Sequence, residues 1–287
     1  MLGYVLAFFS ALMFSAASIF YRYVLYDKDP LLVTAVRTIP ALLSITTVVY
    51  LVGESSYLLH VNSRIILLGV LAGSIGMILG SYFYLNSLKS VGVSIGYPIS
   101  FSYPIYVAII ANFFLNERIS IWSIVALALT IGGIAVISRE NEKNLHSNSL
   151  KKGVACAVSA SLLWALSIIV VKIALFDYAP LPFAVIRLLT ATALAIPFIF
   201  VERRELRTYT WRDLLFISLG GVSGIGFGVA ASHVAIDIIG ASTTAIISAS
   251  SPALSILLAT LILHERMNKR TAIGVMMVIF GTLLTLL

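Results

Sequence analysis

The chain consists of apolar runs of about 20 residues separated by short polar connectors. A helix needs about 20 mostly apolar residues to cross the hydrocarbon core of a bilayer, and such runs recur along almost all of the 287 residues. The composition agrees, because 60% of the residues are hydrophobic and only 11% are charged, whereas a soluble domain carries about 25% charged residues. The sequence therefore predicts an all-α integral membrane protein embedded in the lipid bilayer.

Polar breaks separate about ten such runs. The predicted spans are 3–25, 31–52, 64–88, 93–114, 119–138, 153–175, 181–200, 212–236, 241–262 and 270–287. The longest polar stretch, residues 139–152, divides the chain almost in half. We therefore predict a first five-helix repeat at 1–138, a polar linker at 139–152 and a second five-helix repeat at 153–287.

The two halves can be aligned on several short motifs. Pro30 and Arg37 match Pro180 and Arg187 at an offset of 150 residues. At an offset of 148, the segments 102–104 and 115–118 match 250–252 and 263–266. Because each copy has an odd number of spans, the second copy enters the membrane from the opposite side. Such inverted repeats are typical of secondary transporters, whose substrate site lies near the membrane midplane at the repeat interface.

These paired motifs resemble a known family. Each half begins with an aromatic-plus-small helix (14–18 and 164–167), continues with a Pro-Leu…Arg helix start, and contains a Ser-x-Pro helix ending in Leu-x-Glu-Arg. In these features the chain resembles the drug/metabolite transporter superfamily, specifically its ten-span EamA-domain proteins. The resemblance implies an exporter or carrier of small metabolites such as amino acids, working by alternating access around a central cavity. Related branches move nucleotide sugars or phosphorylated sugars, so the fold does not name the substrate.

Polar and aromatic residues within the predicted spans are candidates for lining that cavity. None of the 12 acidic residues lies in the middle of a predicted span, which favours a neutral cavity for zwitterionic or mildly amphipathic solutes. The candidates are Ser15, Ser18, Tyr82, Asn86, Tyr97, Ser100, Tyr103, Trp164, Ser167, His233, Ser248 and Ser251. The spacing of Tyr97, Ser100 and Pro104 predicts that they share one helix face. The tyrosines are equally consistent with an aromatic belt at the membrane interface.

Three basic or titratable residues within the spans have two interpretations each. His233 precedes Asp237 by one helical turn, so the two predict either a proton-sensing gate or a hydrogen-bonded helix end. Arg37 and Arg187 lie roughly 10 Å into their helices. They either have a structural role, with side chains reaching back to the interface, or bind an anionic group of the substrate.

We expect no catalytic residue, cofactor or metal site. The segment 264–268 approaches the zinc motif His-Glu-x-x-His, but Asn268 replaces the second histidine. Cys156 is the single cysteine, which precludes an intrachain disulfide. The alternatives to a metabolite carrier are an exchanger of phosphorylated or nucleotide-linked sugars that uses Arg37 and Arg187, a lipid flippase and, less favoured, a membrane-embedded enzyme.

The distribution of positive charge predicts the orientation. Of the 19 Lys and Arg residues, only Arg64, Arg118, Lys172 and Arg187 fall on the N-terminal side of the predicted spans. Cytoplasmic loops carry the excess of basic residues, so both termini are predicted outside a plasma membrane and the 139–152 linker in the cytoplasm. The resemblance implies the opposite for many ten-span members. The net charge of +7 lies in short loops, so we expect a small-molecule substrate, no nucleic-acid partner and a monomer able to function alone.

Overall fold

All regular secondary structure that a computed structural model of the protein describes is helical. The structure describes residues 1–24, 28–138, 147–263 and 268–286. The helices are α1 Leu2–Val24, α2 Pro30–Val52, α3 Ser55–Leu59, α4 Ser63–Ala72, α5 Ser81–Ser100, α6 Tyr103–Leu115, α7 Ile121–Ser138, α8 Ser147–Ala174, α9 Pro180–Val201, α10 Arg203–Leu206, α11 Trp211–Gly220, α12 Val229–Ile239, α13 Ala241–Ser248, α14 Ser251–Leu263 and α15 Lys269–Leu284. A first π segment, Gly73–Gly80, joins α4 to α5, and a second π segment, Gly221–Gly228, joins α11 to α12. The predicted all-α class is confirmed.

Seven helical stretches of the described chain are long and apolar enough to cross a membrane. They are Leu2–Tyr21, Leu31–Leu51, Ser63–Tyr84, Leu150–Ala174, Pro180–Val201, Trp211–Ile239 and Ala241–Leu258. Tyr103–Leu115 and Ile121–Ile137 are shorter apolar helices, and α15 has 16 residues. These stretches correspond to the ten predicted segments, so the chain is an integral membrane protein.

Polar connectors set several helix ends. The Asp29 carboxylate accepts hydrogen bonds from the first backbone N–H groups of α2, and Pro30 occupies the position where a missing N–H costs nothing. Gly53 ends the same helix with φ of 82°, a conformation that glycine adopts without strain. Thr210 and Asp213 form a reciprocal capping box at the start of α11. These caps satisfy backbone groups that hydrocarbon would leave without partners.

One predicted boundary differs from the structure. The sequence predicted that the third span ends at residue 88 and the fourth begins at residue 93, but α5 continues through both positions to Ser100. The polar run 89–92 lowers hydropathy without supplying a helix-breaking group, since Gly92 alone does not end a helix. The break comes instead at residues 101–102, just before Pro104.

The first compact unit, which we call unit 1, comprises residues 1–74 and 170–238. Within it α2 packs on α9, α4 packs on α9, and α1 and α2 both pack on the second π segment. A hydrophobic cluster of Val24, Leu32 and Ile217 joins α1, α2 and α11. Unit 1 therefore takes helices from both halves of the sequence.

The second compact unit, unit 2, comprises residues 75–169 and 239–287. Its main contact is between α7 and α15, the last helix of each half. A methyl group on Gly133 would lie 2.6 Å from the carbonyl oxygen of Gly274, and one on Gly281 would lie 2.9 Å from that of Ala126. Small residues allow this close approach of backbones in lipid. Both pairs of equivalent positions, 126 with 274 and 133 with 281, are 148 residues apart.

Unit 1 shows the same reciprocal contacts: a residue of one half contacts a residue of the other half, and their two equivalents contact each other in turn. A methyl group on Gly73 would lie 2.7 Å from the carbonyl oxygen of Arg187, and one on Gly221 would meet the carbonyl oxygen of Arg37. α2 therefore packs on the second π segment, and α9 contacts the start of the first π segment at Gly73. Exchanged contacts of this kind are expected when two copies of one fold are related by a two-fold axis.

Candidate functional site

Each half of the chain contains a helix that breaks at its Ser-x-Pro motif. In unit 2, α5 and α6 are separated at residues 101–102, and α13 and α14 are separated at residues 249–250. We call these the first and second breaks. At each one a serine hydroxyl, of Ser102 or Ser250, donates 2.6 Å to the carbonyl three residues earlier. Because the following proline cannot donate an N–H, the helix restarts instead of continuing. Interrupted helices form the substrate sites of many transporters.

Two equivalent serines end the helices at these breaks. Ser100 is the last residue of α5 and Ser248 is the last residue of α13, and both side chains are buried. Neither hydroxyl oxygen makes a hydrogen bond to any residue in the described part of the chain. A buried hydroxyl without a partner costs about 1–3 kcal/mol, so native proteins rarely keep one without a reason. These hydroxyls are therefore candidates for contact with a polar solute.

An aromatic cluster formed by Tyr84, Phe101, Tyr103 and Trp164 adjoins the first break. Trp164 on α8 is central, with ring centroids 5.3 Å from Tyr84, 5.6 Å from Phe101 and 6.1 Å from Tyr103. The interplanar angles to Phe101 and Tyr103 are 74° and 87°. Such edge-to-face contacts each contribute about 0.5–1.5 kcal/mol, so the cluster holds its rings in defined orientations.

The first π segment positions Trp164. The indole Nε1 donates 3.1 Å to the backbone carbonyl of Gly76, and a methyl group on Gly80 would lie 2.6 Å from Cδ1 of the indole. A π-helical turn shifts backbone hydrogen bonds from i+4 to i+5, and such turns are frequent at functional sites. The glycine-rich segment thus supplies both the space for the indole and the acceptor that orients it.

Polar contacts connect the first break to its neighbours in unit 2. The hydroxyl groups of Ser102 and Ser161 lie 3.2 Å apart. The Tyr103 hydroxyl donates 3.4 Å to the backbone carbonyl of Ala245 on α13. The start of α6 is therefore connected to α8 and to the helix that precedes the second break.

Unit 1 holds a separate polar pair within its membrane-spanning helices. Arg187 Nη1 on α9 lies 3.1 Å from Nε2 of His233 on α12. His233 is only 1% exposed, and the Phe183 ring lies 5.9 Å from the imidazole. The equivalent arginine, Arg37, places its guanidinium 5.0 Å from the ring centre of Tyr21. The two arginines therefore contact different kinds of group.

The serine candidates other than Ser100 and Ser248 have partners. The Ser15 hydroxyl donates 2.6 Å to the carbonyl of Ala11, and the Ser18 hydroxyl donates 2.7 Å to that of Ser15. Ser167 and Ser251 are buried in unit 2 and also have interaction partners. Hydroxyls that bond within their own helix, as those of Ser15 and Ser18 do, are common in membrane spans. Because all four residues already have partners, they are weaker candidates for solute contact.

Tyr82 and Asn86 make contacts outside the aromatic cluster. The Tyr82 side chain is 45% exposed and packs against Phe83, and Asn86 Nδ2 donates 2.8 Å to the Tyr82 carbonyl. Tyr97 lies on α5, but its side chain is outside the described part of the structure.

Two predicted arrangements are wrong. His233 and Asp237 do not pair, because the Asp237 side chain is exposed whereas the buried imidazole contacts Arg187. Tyr97, Ser100 and Pro104 do not share a continuous helix face, because the first break separates Pro104 from the other two. Both predictions rested on residue spacing along a single helix. Such spacing gives no information on the contact of His233 with another helix or on the interruption at the first break.

Two residues of unit 2 were missed by sequence reasoning. Phe101 completes the aromatic cluster, but an isolated phenylalanine in an apolar run gives no signal. The Glu117 carboxylate accepts hydrogen bonds from the N–H of Ala241 at 2.7 Å, and from the N–H and hydroxyl of Ser242 at 3.0 and 2.8 Å. Its occurrence in both Leu-x-Glu-Arg copies was the available signal.

Among the described residues, no group of three or more His, Cys, Asp and Glu side chains could hold a metal ion. The zinc-like segment lies largely at 264–267, outside those residues.

Curated relatives of the chain are transporters. A protein of Archaeoglobus fulgidus named an uncharacterized transporter is 25% identical over 218 residues, which is 76% of this chain and 75% of that protein. An uncharacterized transporter of Synechocystis sp. is 26% identical over 199 residues, which is 68% of this chain and 59% of that protein.

A solved protein structure and a family model each match nearly the whole chain. The solved structure has a TM-score of 0.82 and 15% identity to this chain, and the match covers 98% of this chain and 95% of the other. At that identity the likeness shows the fold alone. The model of the EamA-like transporter family matches residues 1–139 and again residues 151–287. With both halves of its sequence matched, this chain belongs to the EamA-like transporter family.

Proposed function

We propose that the protein is a secondary carrier that moves small zwitterionic or mildly amphipathic metabolites, such as amino acids, by alternating access. The observation that carries the proposal is the occurrence, within unit 2, of two helix breaks, two buried serine hydroxyls with no hydrogen-bond partner among the described residues, and an aromatic cluster. Ligand sites are mostly apolar and contain a few placed polar groups. This part of the chain has that composition.

Each part of the site has a proposed role. The rings of Tyr84, Phe101 and Trp164 pack against the apolar part of the solute. The hydroxyls of Ser100 and Ser248 exchange hydrogen bonds with its polar part. Equivalent serines on the two halves suit a carrier, because movement of one repeat against the other can change the membrane side to which the site opens.

The arginines favour this proposal over an exchanger of sugar phosphates. Arg187 contacts His233, and Arg37 lies over the Tyr21 ring. Such contacts give each guanidinium a partner within unit 1, where it can orient the neighbouring helices. We therefore propose positioning roles for both arginines, in a monomer of the plasma membrane with both termini outside.

Uptake into proteoliposomes tests the proposal. The purified protein is reconstituted and offered a panel of labelled amino acids, phosphorylated sugars and short-chain lipids. We expect concentrative or exchange uptake of an amino acid or a similar solute, and a large loss of that uptake in Trp164→Ala. The matched control is Trp122→Ala, because Trp122 on α7 is 45% exposed and lies outside the cluster.

Three results would contradict the proposal. Uptake of only phosphorylated sugars would favour the exchanger, and lipid movement without solute uptake would favour a flippase. Equal loss of uptake in Trp164→Ala and Trp122→Ala would show that the aromatic cluster is not the solute site.

A further inference from the structure

His233 is a buried titratable side chain of unit 1 that the proposed solute site does not use. It is 1% exposed and lies on α12, within the membrane-spanning stretch Trp211–Ile239. The described acidic residues of the chain lie in connectors or near helix ends. An ionisable group inside the membrane is costly and usually marks a proton or substrate pathway.

The geometry fixes which nitrogen of His233 accepts a hydrogen bond. A guanidinium can only donate, so Nε2 of His233 accepts from Nη1 of Arg187 across 3.1 Å. The ring proton is then on Nδ1, which is buried and makes no hydrogen bond to any residue in the described part of the chain. This assignment follows from the hydrogen-bond network. It leaves Nε2 as the position at which a further proton would bind.

We propose that His233 is a proton-binding site at which a proton and the Arg187 guanidinium compete for Nε2. A proton on Nε2 occupies the lone pair that accepts from Arg187. It also places two positive charges about one hydrogen-bond length apart in a low-dielectric region, where their repulsion is strong. Proton binding therefore requires the guanidinium to move away, and departure of the guanidinium favours proton binding.

The other charged groups near His233 agree with this competition. Lys172 on α8 donates its ammonium hydrogens to the backbone carbonyls of Ile236 and Asp237, at 3.0 and 3.4 Å. The Asp237 carboxylate, one turn from His233, is exposed. Among the described residues, no acidic side chain is hydrogen-bonded to the imidazole, so a bound proton gains no counter-charge there and the position of Arg187 controls its binding.

Backbone packing directs the movement to the Arg187 side chain. The carbonyl of Arg187 is in close contact with Gly73, which fixes the backbone of α9 at this point. The long side chain is the part that can rotate. The equivalent contact of Arg37 with Tyr21 offers no basic nitrogen, so the site occurs in the second half of the chain. It would give the carrier a proton as coupling ion, whichever solute it moves.

Histidine-selective ¹⁵N NMR of the full chain in lipid nanodiscs tests the inference with the proton as the only ligand. The chain has four histidines, at 60, 146, 233 and 264, and the spectrum of His233→Gln assigns the signal. We expect the Nδ1–H tautomer in the wild type. In Arg187→Gln, the proton concentration needed to protonate His233 should fall by about tenfold or more, because the competing cation is removed. Arg37→Gln is the matched control and should leave the titration unchanged.

A second measurement needs no substitution at Arg187. In ¹⁵N-arginine-labelled wild type, the Arg187 guanidinium signal should change over the same pH range as the His233 signal. The inference is overturned if His233 is an Nε2–H tautomer, if the two signals change independently, or if Arg187→Gln and Arg37→Gln have equal effects. Because no solute is involved, these results are independent of the uptake experiment.

Discussion

Ser100 and Ser248 occupy equivalent places, 148 residues apart, and each ends a helix immediately before a break with its hydroxyl buried and unbonded to any described residue. The Ser-x-Pro motif that creates each break begins two residues later, at Ser102 or Ser250. Each break therefore lies directly beside an unbonded polar group, in both halves of the sequence.

Replacing these serines should separate transport from stability. In Ser100→Ala and Ser248→Ala, the thermal unfolding temperature should stay the same or rise slightly, because neither hydroxyl has a hydrogen bond to a described residue to lose. KM for the transported solute should rise about 3- to 10-fold, which corresponds to the roughly 0.5–1.5 kcal/mol of one hydrogen bond. Uptake kinetics and thermal unfolding in the same detergent or lipid measure both. A fall in stability with unchanged KM would mean that the hydroxyls have a structural role.

Gly80 and its equivalent Gly228 should differ in their tolerance of alanine. A methyl group on Gly80 would lie 2.6 Å from the Trp164 ring, whereas one on Gly228 would lie 3.2 Å from the Phe14 ring. Overpacking of the first kind costs about 1–3 kcal/mol, while at Gly228 the higher helix propensity of alanine offsets much of a milder contact. We expect Gly80→Ala to lower the unfolding temperature and transport, and Gly228→Ala to be nearly neutral. Equal effects would contradict the described position of Trp164.

The Glu117 contact should stabilise α13. The carboxylate satisfies the first N–H groups of the helix, where a negative charge also interacts favourably with the helix dipole. Glu117→Ala should destabilise unit 2 by about 1–3 kcal/mol, seen as faster hydrogen exchange at residues 241–248. Ser242→Ala removes only the hydroxyl bond and should cost less. A larger effect of Ser242→Ala would contradict the capping role.

The orientation can be tested with C-terminal reporters. If both termini are outside, a fused alkaline phosphatase should be active and a fused green fluorescent protein should remain dark, because each reporter folds on only one side of the membrane. The excess of Lys and Arg on one side is the physical basis. The opposite reporter pattern would place the 139–152 linker outside and reverse the assignment of every connector.

The sequence predicted those features that depend on apolar length and on repetition. The spans follow from runs of apolar residues. The equivalence of Arg37 with Arg187, and that of the two Ser-x-Pro motifs, follow from repetition in the sequence. The Arg187 contact with His233, the Glu117 cap and the packing of Phe101 on Trp164 join residues more than 40 positions apart. Such contacts depend on how helices pack, which a hydropathy pattern does not encode. The sequence analysis placed a span boundary at residues 89–92 because they are polar, but α5 continues through them. A polar segment does not by itself interrupt a helix.

The central claim is that a solute binds at the two helix breaks of unit 2 during transport. The chain has one cysteine, Cys156, so a Cys156→Ser background allows single thiols to be placed by Ser100→Cys and Ser248→Cys. Leu43→Cys, at a position on α2 that is 65% exposed, is the lipid-facing control.

The most direct test is the rate at which a membrane-impermeant thiol reagent labels these positions in proteoliposomes, with and without the transported solute. We predict labelling of Ser100→Cys and Ser248→Cys that the solute slows, and little labelling of Leu43→Cys in either condition. Thiols at 100 and 248 that never react, or that react at a rate the solute does not change, would contradict the claim.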